Sequence, residues 1–376
     1  MIVFALVCAA LLSAAPDARA SLTEGPRLAA VYDTILEARF DQVEATLERT
    51  CPPAPDGACK ALNTVSVWWQ ILLDPDSKRL DARLNELAAA AIAANDAWTR
   101  REPKRGEAWF YLAGSYAPLV QWRVLRGERL AAAREGSRIK SALEQALALD
   151  PSLADAYFGI GIYHYYADVA PTTAKILRWF LFLPGGDRAE GLEEMLKARD
   201  KGELLTGEAD YQLHLIYLWY ERKTEAALAL LRGLDTRYPT NPLFLQRIAE
   251  VEDEYYHDHK SSAAAWSTLI DRVRAGRANS AGTAEIRARL GLATELAAMS
   301  QTAQAIDELK IVVSRDPSSP YGARAQAQLQ LGLAYDRLGQ RDLAVAAYNA
   351  AMTLTPADDT HHIRDRARAG LRTRRE

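Results

Sequence analysis

The 376-residue chain is short of basic charge, cysteine and long apolar runs, and each shortage removes a class of function. Its 46 Lys and Arg stand against 49 Asp and Glu, a net charge of −3. A nucleic-acid surface needs a basic excess, so none is expected. No G-x-S-x-G, H-E-x-x-H or phosphate-cradling glycine loop occurs, and Pro184-Gly185-Gly186-Asp187 lacks the lysine of a nucleotide loop. Neither a catalytic residue nor a cofactor is therefore predicted. Beta-branched runs are scarce while Ala and Leu dominate, which favours helix almost everywhere. With 49% hydrophobic and 25% charged residues the chain has the composition of a folded protein.

The first twenty residues read as an export leader. MIVFALVCAALLSA has the length of a signal h-region and is too short to span a bilayer, and Ala18-Arg19-Ala20 supplies an A-x-A cleavage site before Ser21. No Lys or Arg precedes the apolar run, and Val7 before Cys8 fits a lipoprotein anchor badly. The expectation is a periplasmic or extracellular protein. Without the leader two cysteines remain, Cys51 and Cys59 in CPPAPDGAC, a turn-rich loop that brings the sulfurs together. An oxidising compartment lets such a bond persist, so a disulfide is predicted.

The clearest internal pattern is LGLAYDRLGQRDLAVAAYNAAMTLTP, residues 331–356. Leu331, Gly332 and Tyr335 share one face of a first helix. Leu338-Gly339 makes a turn; Ala344, Tyr348 and Ala351 mark a second helix, and Pro356 stops it. Small residues stand where two helices approach, and large ones fill the space around them. The unit resembles the tetratricopeptide repeat, whose order is large, small, aromatic, small, aromatic, small, proline. That resemblance implies an all-α, right-handed solenoid of paired helices, because one unit cannot bury its apolar face alone.

Measured against this unit, the chain divides into the leader 1–20, a loosely repetitive helical region 21–105 with the loop 51–59, a central array 106–274, and C-terminal repeats with a capping helix, 275–376. In the first region Trp68 and Trp69 are expected in the core. Trp109 and Pro151 are 42 residues apart, more than an ordinary unit needs, so the helices between them are predicted to be lengthened. Tyr211 to Pro239 spans a regular 28 residues. RAGRANSAGT reads as a linker, which makes the last third a subdomain able to pivot. The Arg-rich tail reads as a solvated cap on the final apolar face.

The central array carries an insert, 167–187, holding the apolar stretch Ile176–Leu183. Phe158, Gly159, Gly161, Pro171, Ile176, Leu177, Gly186, Arg188, Gly191 and Leu192 occur in the order found in the tetratricopeptide 39 and inclusion-body-clearance family, and residues 157–198 are similar to it. That likeness implies an adaptor without catalysis, with membrane or lipid-droplet association in some members. The stretch has two readings. It plugs the superhelix, which burial of large apolar side chains at roughly 1.5–3 kcal/mol each favours, or it presents Trp179, Phe180 and Phe182 to a membrane or partner.

Histidines offer little chemistry by spacing alone. His257 and His259 diverge on a helix, His361-His362 lies at an exposed end, and His164 and His214 fall within repeat interfaces. No metal site is expected. Glu250, Glu252, Asp253 and Glu254 read as a wet helix face. The repeat resemblance lines a concave wall with first-helix residues one, five and eight positions after the leading aromatic. These are Phe110 and Gly114, then Phe158, Ile162 and Tyr165, then Gln212, Ile216 and Trp219. Such a wall suits an extended peptide or amphipathic helix of a protein partner. Packing of the same side chains against the insert is the other reading, and peripheral membrane contact through the insert is the alternative function.

Overall fold

Ala and Leu at steps of three and four residues give each segment an apolar stripe, and Pro or a polar turn ends it. The computed structural model describes residues 22–169 and 185–372, and within them 17 helices follow one another with no strand. Two pairs come first: α1 (Gly25–Leu36) with α2 (Phe40–Thr50), and α3 (Asp56–Leu73) with α4 (Asp81–Arg101). Six further pairs stack in order. They are α5 (Gly106–Leu125) with α6 (Arg129–Leu149), α7 (Ala156–Val169) with α8 (Arg188–Lys201), and α9 (Thr206–Trp219) with α10 (Thr224–Arg237). Then come α11 (Pro242–Glu254) with α12 (His259–Arg274), α13 (Ala281–Ala298) with α14 (Thr302–Arg315), and α15 (Ala323–Arg337) with α16 (Arg341–Leu354). A last helix, α17 (Ile363–Arg372), caps the stack by burying Ile363 and Ala367.

One turn geometry recurs inside the pairs. Two positions before the second helix, Ala38, Gly127, Arg222, His257, Ser300 and Gly339 all hold a left-handed φ between 54° and 79°. At Arg39, Glu128, Gln301 and Gln340 the following amide reaches back five residues, as from Gln340 to the Tyr335 carbonyl at 2.9 Å, the closure that satisfies the last carbonyls of a helix. Only two of the six are glycine, although an L residue there is strained.

Close approach also fits the predicted small positions. Gly161 and Gly191 meet backbone to backbone across α7 and α8, so a Cβ on either would strike the other's carbonyl. Gly332 lies against the Tyr348 ring, with Ala344 and Ala351 fully buried beside it. The predicted lengthening appears as α5 and α6, of 20 and 21 residues.

The first two pairs curve back onto the later ones. Trp69, 1% exposed, packs its ring 4.9 Å from Tyr211 and 6.0 Å from Phe244. Trp68 is buried as well. One apolar core therefore runs from α1 and α3 into α5, α9 and α11, and a second occupies the C-terminal pairs. At the centre of the junction Glu208 accepts from Tyr32 Oη at 2.9 Å, Trp69 Nε1 at 3.1 Å and Gln212 Nε2 at 3.2 Å. Burial raises the Glu208 pKa, and these donors pull it back. Cys51 and Cys59 form the predicted disulfide at the start of this region.

Candidate interaction surface

Of the residues predicted to line a concave wall, the described structure buries most. Phe110 lies in the core, its ring 5.0 Å from Tyr111, and Phe158 and Ile216 are buried too. Tyr165 is fully buried, and its hydroxyl donates to Glu221 at 2.6 Å. Gln212 reaches Gln121 on α5 at 2.9 Å, a contact that the lengthened α5 makes across the stack. Ile162 is half-buried. Trp219 alone among these is strongly exposed, at 60%. Trp179, Phe180 and Phe182, with the stretch 176–183, lie outside the described residues, as do residues 1–21, which hold the expected leader.

The stack has two long edges with different surroundings. One is formed by the connections between pairs, and the α1–α4 region covers it from α9 onward. Tyr238 Oη donates to Asp33 at 2.8 Å, Asn241 Nδ2 to the Leu36 carbonyl at 2.7 Å, and Asn279 Nδ2 to the Glu37 carbonyl at 2.8 Å. Further along, Asp74 accepts from Ser319 Oγ at 2.8 Å and from the Tyr321 amide at 2.9 Å. Lys78 pairs with Asp358 at 2.6 Å, and His361 Nε2 with Asp76 at 3.0 Å. The expected linker around Asn279 and the C-terminal pairs are thus tied to the N-terminal loops.

The other edge carries the turns inside the later pairs, from α5–α6 onward. Among the described residues, every exposed large apolar side chain lies at or near one of these turns: Val124, Leu125 and Leu130; Trp219 and Tyr220; Tyr255 and Tyr256; Leu333, Leu338 and Leu343. The aromatic group is continuous. Tyr220 stands 5.5 Å from Tyr166 and 5.9 Å from Tyr165, and the Trp219 indole lies beside the Tyr255 hydroxyl. A shallow cleft of about 450 Å³ opens beside it, lined by Asp168, Arg188, Leu192 and Glu221 among others, with Arg188 Nε donating to Glu221 at 2.7 Å. That ion pair holds the Glu221 carboxyl below its ordinary range. The chain leaves the described structure at Val169 and returns at Gly185, at the same turn position of the α7–α8 pair.

Titratable groups gather near these turns, and not as their spacing suggested. The acidic run 250–254 is largely engaged: Glu250 pairs with Arg247, Glu252 with Arg232, and Asp253 with His259. His259 also meets Glu295 at 2.9 Å, and that hydrogen bond raises its pKa. The second carboxylate is 36 residues downstream, which is why adjacency with His257 was uninformative. His164 lies 2.8 Å from Glu194, with Glu190 nearby. His214 is a core histidine whose pKa burial pushes down to about 3, so it stays neutral. These arrangements lock helices together and leave the aromatic edge open to a partner. No described helix is long and apolar enough to cross a membrane.

Comparison with known proteins agrees with the repeat pattern. A tetratricopeptide repeat family model matches residues 325–358, which cover the α15–α16 pair except for the first two residues of α15. A search of the curated proteins gives no match. Among solved structures, the crystal structure of the APC/C hetero-tetramer Cut9–Hcn1 superposes with a TM-score of 0.50 at 14% identity, covering 92% of this chain and 55% of that one. The chain thus spans about half the length of that relative. Looser superpositions are found with the human IFIT1 dimer with PPP-AAAA (TM-score 0.44, 12% identity, 94% and 86% coverage) and with the C-terminal part of a TPR repeat-containing protein of Cytophaga hutchinsonii (0.33, 14%, 93% and 100%). The chain carries a tetratricopeptide repeat and has the all-helical fold of such proteins. The similarity of residues 157–198 to the tetratricopeptide 39 family remains a likeness of residues.

Proposed function

We propose that the protein is a non-catalytic interaction scaffold of the cell envelope, exported by its leader, which holds a peptide or amphipathic helix of a partner protein. The observation that carries this reading is the confinement of exposed large apolar side chains of the described residues to the turn edge, while α1–α4 covers the connecting edge from α9 onward. Contiguous exposed apolar groups of this kind mark contact surfaces. Tyr and Trp are suited to such contacts because they offer wide apolar area with a polar tip. Within the predicted wall the reading centres on Trp219 and extends to Tyr220, Tyr255 and Tyr256, since Phe110, Phe158, Tyr165 and Ile216 are spent on the protein's own core. Repeat stacks bind protein partners on extended surfaces, which supports the assignment of class.

The test is capture of a partner from the export compartment by wild type and by a Trp219→Ser, Tyr256→Ser double variant with unchanged helical content. Loss of a specific partner by the variant is expected; unchanged capture would remove the assignment. A second reading, adsorption to a lipid surface, is favoured by one observation: the aromatic group includes Tyr166, in the last turn described before the sequence stretch 176–183. Flotation with liposomes separates the two, since a protein-binding scaffold stays in the soluble fraction.

A further inference from the structure

Three ligating side chains from three helices converge beside the turn at 255–258. Asp253 lies at the end of α11, His259 is the first residue of α12, and Glu295 sits in the last turn of α13. Their ligating atoms all lie within 4.8 Å of one another. His259 Nδ1 stands 3.0 Å from Asp253 Oδ1 and 2.9 Å from Glu295 Oε2. An imidazole nitrogen has a single hydrogen and can serve one carboxylate well, so the two oxygens compete for it. A divalent ion bound at about 2.0–2.2 Å resolves that competition. Tetrahedral ligands of such an ion stand about 3.4 Å apart, within the 4.8 Å span of these three ligating atoms.

A second observation points into the same place. Ser262, one turn along α12 from His259, is fully buried, and its hydroxyl has no hydrogen-bond partner of good geometry although it bears on Glu295. A buried hydroxyl left in this way has a use beside an ion or an ion-bound water. Burial argues the same: Glu295 is only 3% exposed, so little water reaches its carboxylate. The other His–carboxylate group, His164 with Glu190 and Glu194, draws both acids from one helix, and Glu190 is exposed.

We propose that Asp253, His259 and Glu295 bind a divalent transition-metal ion of the zinc or manganese class, with water completing its coordination. One imidazole and two carboxylates form a donor set suited to these ions. The bound ion staples the turn bearing Tyr255 and Tyr256 to the first helix of the next pair, and so firms the aromatic edge.

The experiment is calorimetric titration of tag-free, chelator-treated full chain with Zn²⁺ and, separately, Mn²⁺ near neutral pH. H259Q and D253N serve as site variants and H164Q as the control. Wild type and H164Q are expected to bind one equivalent that H259Q lacks, with D253N at least tenfold weaker. Zn²⁺ should raise the melting temperature of wild type and leave that of H259Q unmoved. D253N keeps the test intact if H259Q folds poorly. No binding by wild type, equal binding by H259Q and D253N, or loss in H164Q alone would overturn the assignment.

Discussion

Along the connecting edge the loops that leave the pairs from α9–α10 onward find partners on the N-terminal region: Asn241 and Asn279 on the α1 end, Ser319 and Tyr321 on Asp74, Asp358 on Lys78. Along the turn edge the loops at Gly127, Arg222, His257, Ser300 and Gly339 close on themselves through a left-handed residue, and apolar side chains stand outside them. The difference follows from backbone accounting. A turn that satisfies its own amides and carbonyls needs no cover, so its side chains are free for a partner. A longer connection leaves polar groups that another segment must meet, and the α1–α4 region meets them.

The largest effect separating the edges should come from paired tryptophan substitutions. Trp69→Ala removes a buried ring and leaves Glu208 short of a donor, and is expected to cost about 3–5 kcal/mol in denaturant unfolding. Trp219→Ala should stay within about 0.5 kcal/mol of wild type, since its side chain is mostly in water. Equal costs would erase the distinction. Next in size is Asp74→Ala, which strips an acceptor from Ser319 and the Tyr321 amide. A loss of about 1–3 kcal/mol is expected, with faster hydrogen exchange at Tyr321 and little change at Tyr256.

Smaller effects test each edge separately. Ser300→Gly relieves a left-handed φ of 63° and should gain about 0.5–1 kcal/mol, read as a rise in melting temperature. Gly339→Ala at the equivalent position should lose a similar amount. Smallest is the His361–Asp76 pair on the covered edge. Its hydrogen bond raises the His361 pKa and lowers that of Asp76. The raised histidine contributes stability below about pH 6.5, lost as pH climbs through its folded value; the lowered aspartate contributes above about pH 4, lost on acidification. His361→Gln should therefore cost a few tenths of a kcal/mol near pH 5.5 and almost nothing at pH 8.5, as befits a half-exposed pair.

Much of the fold was legible because its signals are local. Gly332, Ala344, Tyr348 and Pro356 announce a helix pair through spacing alone, and Cys51 with Cys59 announce a bond through the turn residues between them. The repeated turn was harder to see, since Arg222, His257 and Ser300 occupy a left-handed position that sequence reasoning reserves for glycine. The covering of one edge was invisible, because it rests on contacts such as Tyr32 with Glu208 that lie 176 residues apart. The candidate surface was legible only at Trp219. Its neighbours Tyr255 and Tyr256 come from another pair, and the wall positions at Phe110 and Tyr165 face inward, Phe110 into the core beside Tyr111 and Tyr165 with its hydroxyl on Glu221.

Photo-crosslinking in the native compartment addresses the division between edges most directly. A benzophenone side chain is placed at Trp219 or Tyr256 on the turn edge and at Thr240 or Tyr321 on the connecting edge. The account predicts one partner adduct from both turn-edge positions and none from the connecting edge. Adducts confined to Thr240 or Tyr321 would contradict it.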